Sequence, residues 1–78
     1  MKFRVIVIDL QDKTMDESIV SAANPIQALF NKYEDDLDGL EEPDDEFVAF
    51  HTPYLKLVEE GKWMMDLEDG LVFINHID

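Results

Sequence analysis

Residues Lys2 to Leu10 carry apolar side chains on both faces of an extended chain. Phe3, Val5 and Val7 alternate onto one face, and Ile6, Ile8 and Leu10 onto the other. A half-buried edge strand needs one apolar face only. Two apolar faces predict a central strand covered, at least in part, on both sides. The rest of the chain must therefore supply neighbouring strands and a covering layer.

Gln11-Asp12-Lys13 reads as a polar turn, and Thr14 to Ser21 as a second, more polar strand nearer an edge. A helix follows. Asn24 suits the N-cap and Pro25 the first helical position. Ile26, Leu29, Phe30, Tyr33, Leu37 and Leu40 recur at spacings of three and four, a core-facing stripe, with Gly39 as its stop. Leu40 to Glu46 reads as an acidic, proline-containing loop, and Glu46 to Phe50 as a third strand. Thr52-Pro53 repeats the cap-plus-proline start, so Pro53 to Glu60 is expected as a short helix. Tyr54 to Glu59 as a strand turning at Glu60-Gly61 is the alternative. Lys62 to Leu67 and Leu71 to Ile77 flank Glu68-Asp69-Gly70, where Asp-Gly signals a hairpin. The expected fold is α+β in the order β-β-α-β-(α)-β-β. It is a single domain over residues 1–78, with an antiparallel sheet of about five strands and one main helix packed on it.

Charge is the other strong feature. Nineteen acids against six bases give a formal net charge of −13. Such a chain repels nucleic acid and anionic lipid and attracts basic surfaces, at rates that fall with salt. Nine of the thirteen residues from Glu34 to Glu46 are acidic: Glu34, Asp35, Asp36, Asp38, Glu41, Glu42, Asp44, Asp45 and Glu46. At about 100° per residue, the first four fall off the apolar stripe and toward solvent. Acids in a last helical turn oppose the helix dipole, and Glu34 and Asp38 form a like-charge pair one turn apart. Local rules broken in one place point to function. Crowded carboxylates can imitate phosphates and occupy a basic nucleic-acid channel. Apolar or aromatic residues such as Tyr33, Phe47 and Trp63 would add specificity. The bland alternative is a solvated segment that keeps the protein soluble.

Other chemistries find less support. Glu34, Asp36, Asp38 and Gly39 imitate the start of a calcium loop, but Glu41, Pro43 and Asp45 break the pattern. His51 and His76 meeting Asp78 would supply at most three metal ligands. There is no Cys, Ser18 and Ser21 lie in a polar strand with no His nearby in sequence, and the three glycines make no phosphate loop. Catalysis, cofactors and metals are therefore not expected. Trp63, Met65 and Leu67 alternate onto one strand face as core, leaving Met64 outward. The lack of Cys suits a reducing cytoplasm, and neither a signal peptide nor a membrane span is read.

In size and charge the chain looks like small acidic phage proteins that block host defence nucleases, anti-CRISPR and anti-restriction proteins among them. The likeness is one of overall character, and no motif carries a residue over. It implies a steric, non-catalytic inhibitor without a cofactor. Its partner would be the basic surface of a nucleic-acid-binding enzyme or complex, with no direct nucleic acid or membrane binding. The partner-binding residues expected are Glu34, Asp35, Asp36, Asp38, Glu41, Glu42, Asp44 and Asp45. The alternative is a small interaction module or accessory subunit, using a sheet edge or hydrophobic face.

Overall fold

The doubly apolar N-terminal segment is an interior strand of a five-stranded antiparallel sheet, paired on both sides. A computed structural model describes residues 1–35 and 38–77. The strands are β1 (Lys2–Asp9), β2 (Thr14–Ser21), β3 (Leu55–Glu59), β4 (Lys62–Leu67) and β5 (Gly70–His76), in the spatial order β2-β1-β5-β4-β3. Two helices, α1 (Pro25–Tyr33) and α2 (Asp45–His51), and a 3-10 turn over Thr52–Tyr54 separate β2 from β3. The architecture is α+β, with one main helix and one short one.

Register decides which side chains meet. Phe3 pairs with Val20 and His76, Val5 with Ile74, and Val7 with Val72. Across the next ladder, Ile74 pairs with Trp63 and Val72 with Met65. Because side chains alternate, these residues share one face. Phe3, Val5, Val20, Met65, Val72 and Ile74 are buried there beneath Ile26, Ala28 and Leu29 of α1. Trp63, Met65 and Leu67 take the core face as expected.

The opposite face is covered only in part. Ile6 and Ile8 are shielded by cross-strand neighbours, Phe73 and Leu71 of β5, rather than by a second helical layer, and remain half-buried. Arg4, Lys56 and Lys62 share that face by register. The sheet is thus covered on one side by α1, and its other side mixes apolar residues with charges of both signs, Glu17, Glu59 and Asp66 among them.

Helix α1 begins as its sequence predicts: the Asn24 side chain accepts from the Gln27 amide at 2.8 Å and Pro25 opens the first turn. It ends earlier than predicted, at Tyr33 rather than near Gly39. Asp35 adopts a left-handed backbone, φ 57°, which reverses the chain. Asp tolerates this conformation better than most residues. Propagating the helix through Glu34, Asp35 and Asp36 would instead stack acids on its negative end. Leu40 consequently is 83% exposed rather than part of the core stripe, and Leu37 lies outside the described residues.

Two further segments differ. Residues 46–50 form α2 rather than a strand, because Asp44 caps the Phe47 amide at 2.8 Å. Asp45 and Glu46 then occupy the first turn, where the positive helix end favours them. Residues 55–59 form a strand rather than a helix. Pro53 supports only the 3-10 turn, and Leu55 and Leu57 pair with Met65 and Trp63. The final hairpin turns at Glu68-Asp69, with Gly70 already paired to Leu67 in the ladder.

Candidate functional site

The acidic segment is built into the fold at four points. Beyond the left-handed Asp35, the chain passes Gly39, whose backbone is so close to β2 that an added Cβ would lie 2.4 Å from the Ser21 carbonyl oxygen. That same oxygen accepts a 2.7 Å hydrogen bond from Asn31 Nδ2 of α1, itself fully buried. Two residues on, the Glu41 carbonyl accepts from Gln27 Nε2 at 3.3 Å. Pro43 is half-buried, sharing a hollow with Ile26 and Val48. Asp44 then caps α2. The segment leaves α1 at its C-terminal end and returns past Asn31 and Gln27 toward its N-terminal end.

This path sets the display. Glu34, Asp35, Asp38, Glu41, Glu42, Asp44, Asp45 and Glu46 are all exposed. The expected member Asp36 lies outside the described residues. Glu34 is the C-cap of α1, and Asp35 and Asp38 lie beyond the helix, so the expected like-charge pair of Glu34 and Asp38 is not a helical one. The ion pairs Arg4–Glu17 at 2.9 Å, Lys32–Asp16 at 3.1 Å and Lys62–Glu59 at 2.7 Å use acids elsewhere. The Lys62 hydrogen bond and charge hold the Glu59 carboxyl below its ordinary value. These three basic residues are thereby drawn to acids of the sheet, and the acids of the segment face solvent. Asp44 also acts locally, since one of its carboxylate oxygens forms the α2 cap.

No known protein family, curated protein or solved structure matches this chain.

The aromatic residues expected beside the acids separate. Trp63 packs near Phe3, ring centroids 6.1 Å apart, in the core. Phe47 lies between Phe30 at 5.3 Å and Tyr33 at 6.2 Å, tying α2 to α1. Tyr33 alone of the three stays half exposed, and partial burial raises its phenol above the usual tyrosine value. The histidines occupy different surroundings. His51 is buried at the end of α2 with Nδ1 2.8 Å from the Phe47 carbonyl, whereas His76 packs on Phe3 with centroids 5.5 Å apart. Their expected partner Asp78 lies outside the described residues. Among the described residues, no cluster of three or more His, Cys, Asp or Glu is arranged to hold a metal. Ser18 Oγ accepts from Lys32 Nζ at 2.9 Å, which fixes α1 to the edge strand. No helix of the described residues is long and apolar enough to cross a membrane.

Sequence reasoning missed a second set of residues. Phe50 and Tyr54 are 58% and 42% exposed and pack on each other at 5.7 Å. With Tyr33 they line a groove at the end of the sheet together with Asp9, Glu68 and Asp69. The available signal was the four-residue spacing of Phe50 and Tyr54, which a helical reading running from 45 through 54 puts on one side.

Proposed function

We propose that this protein acts by binding a cationic protein surface, and that it inhibits a nucleic-acid-binding enzyme by placing carboxylates where phosphates would sit. The observation that carries the reading is the anchoring of the acidic segment. A segment retained only for solubility has no need of a glycine pressed against Ser21, a Gln27 hydrogen bond and a helix cap. Those contacts hold the backbone that carries the carboxylates, so little backbone entropy is lost when a partner docks. Duplex DNA presents about one charge per 1.7 Å of axis to Lys and Arg. A surface of ordered carboxylates competes for the same side chains by charge and position, without chemistry and without a cofactor. The likeness to small acidic phage inhibitors of defence nucleases agrees with this mechanism.

The test is co-purification with partners at increasing salt, with duplex and single-stranded nucleic acid as competitors. Partner binding is expected to weaken at least about ten-fold between low and moderate salt, and nucleic acid to displace the protein. Changing Glu34, Asp35, Asp38, Glu41 and Glu42 together to amides is expected to abolish capture while leaving stability unchanged or higher. Capture that survives those amides refutes the proposal. The mixed face of Ile6, Ile8, Phe73 and Leu71 favours a second reading, an accessory subunit docked through its sheet. Such binding would persist at high salt and ignore nucleic acid.

A further inference from the structure

The groove at the end of the sheet offers a chemistry distinct from the acidic segment. Helix α1 stops at Tyr33, and α2 runs into the 3-10 turn, so both elements leave aromatic rings at one place. Beneath them Gly70 lacks a side chain where its neighbours across the sheet are Leu67 and Asp9. The floor is apolar, formed by Val7, Leu67 and Val72, and the open volume is about 440 Å³. That is within the usual range for ligand sites.

The walls differ in character. Tyr33, Phe50 and Tyr54 bring partly exposed rings to the lining, and the acids Asp9, Glu68 and Asp69 line the same groove. The carboxylate side is held in place by two links. Leu10 N–H donates to the Asp69 carbonyl at 3.0 Å, joining the two turns. Asp9 Oδ1 accepts from the Gln11 and Asp12 amides at 2.9 and 3.1 Å, fixing its side chain. Among the described residues, none of these three acids takes part in an ion pair.

Aromatic faces attract cations through the ring quadrupole. Carboxylates attract them by charge and, for a guanidinium, by paired hydrogen bonds in its plane. Neither wall suits an anion or a purely apolar ligand. We propose that the groove receives an arginine side chain of the partner, its plane laid against Phe50 and Tyr54 and its N–H groups directed at Glu68 and Asp69. This rests on reading the protein as a binder of cationic surfaces. It adds a shaped pocket beside a charged surface, and so a source of partner choice that salt weakens less.

The experiment is an amide NMR titration of the uniformly labelled protein at 150 mM salt with the blocked tripeptide acetyl-Gly-Arg-Gly-amide. The matching glutamine tripeptide is the control. Saturable shifts are expected at Tyr33, Phe50, Tyr54, Glu68 and Asp69, with none from the glutamine peptide. Phe50→Leu with Tyr54→Leu is expected to weaken binding about five-fold or more, and Tyr54→Phe less than two-fold. Both leucine positions are exposed, so the fold is retained, which the undisturbed core resonances verify. Shifts confined to 34–46, or affinity unchanged in the double leucine variant, would overturn the groove assignment. The first of these outcomes leaves the acidic-surface reading intact. Groove shifts that persist in a variant with the five segment amides, when partner capture does not, would identify the two as separate elements.

Discussion

Gly39 and Gly61 have the same backbone sign and different neighbours, with φ 73° and 80°. Alanine at either position must hold a left-handed conformation at about 1–2 kcal/mol, offset by about 0.4–1 kcal/mol from a stiffer unfolded chain. At Gly61 the new Cβ meets only His76 Cβ at 3.7 Å, an ordinary contact. Gly61→Ala should therefore lose about 0.5–1 kcal/mol. At Gly39 the Cβ would stand 2.4 Å from the Ser21 oxygen and 3.2 Å from Asn31 Nδ2. Relief requires a shift of about 1 Å in the backbone or the segment, and it breaks the 2.7 Å hydrogen bond from Asn31 to Ser21. Asn31 is fully buried and its Oδ1 has no partner among the described residues, so the amide would keep nothing. An unmade buried hydrogen bond costs about 1–3 kcal/mol, which brings Gly39→Ala to about 1.5–4 kcal/mol. For a domain this small, 1 kcal/mol shifts Tm by about 4–8 °C. Calorimetric melts at fixed ionic strength should show Gly39→Ala falling by about 6–32 °C and Gly61→Ala by only about 2–8 °C. The Asn31 side-chain amide resonances should move in the first variant alone. Equal losses within about 2 °C would refute the close approach, and with it the anchoring of the acidic segment.

Other outcomes follow from the same structure. Asp44→Ala should cost about 1 kcal/mol by uncapping α2, and Asp44→Asn much less, measured by denaturant midpoint. Raising sodium chloride from about 10 to 200 mM should raise Tm, because the exposed acids repel one another and salt screens that repulsion. Partial burial favours neutral Tyr33, so its folded pKa lies above the unfolded value of about 10. Its contribution to stability is full below that unfolded value and is lost as pH rises through the folded one. Ultraviolet titration of a Tyr54→Phe variant should find the remaining phenol ionising late, and an ordinary midpoint would contradict it. Lys13 holds φ 57° in the first turn, so Lys13→Gly should stabilise by about 0.5 kcal/mol in the same denaturant assay.

The parts legible in the sequence are those where one local signal dominates. Phe3 to Ile8 could only be central, and Asn24-Pro25 could only open a helix. The Glu68-Asp69-Gly70 hairpin lay one residue from its expected turn. Errors arose where two periods fit equally. Phe47-Val48-Ala49-Phe50 is apolar at every position, so it has no alternation to mark a strand and too few turns to mark a helix. Reading Asp44 for its charge hid its role as a cap. Pro53 resembled a helix start, yet pairing of Leu55 and Leu57 with β4 prevailed, a tertiary effect no local window contains. The acids of the segment were visible as composition, but their fixation depends on Asn31, Ser21 and Gln27, far away in sequence. The aromatic groove was invisible for the same reason, since Tyr33, Tyr54 and Glu68 meet only after the sheet closes.

The strand order also governs when the protein can exist. β1 and β5 are neighbours, and within the sheet β5 lies between the β1–β2 pair and the β3–β4 pair. A ribosome makes roughly 5–20 residues per second, so about 50 residues of synthesis separate completion of the first hairpin from arrival of its missing partner. For roughly 3–10 seconds the nascent chain holds Phe3, Val5 and Val7 with no floor beside them. Closing the sheet therefore awaits β5, and until then the newborn hairpin depends on its polar outer strand, or on a chaperone, to stay out of trouble.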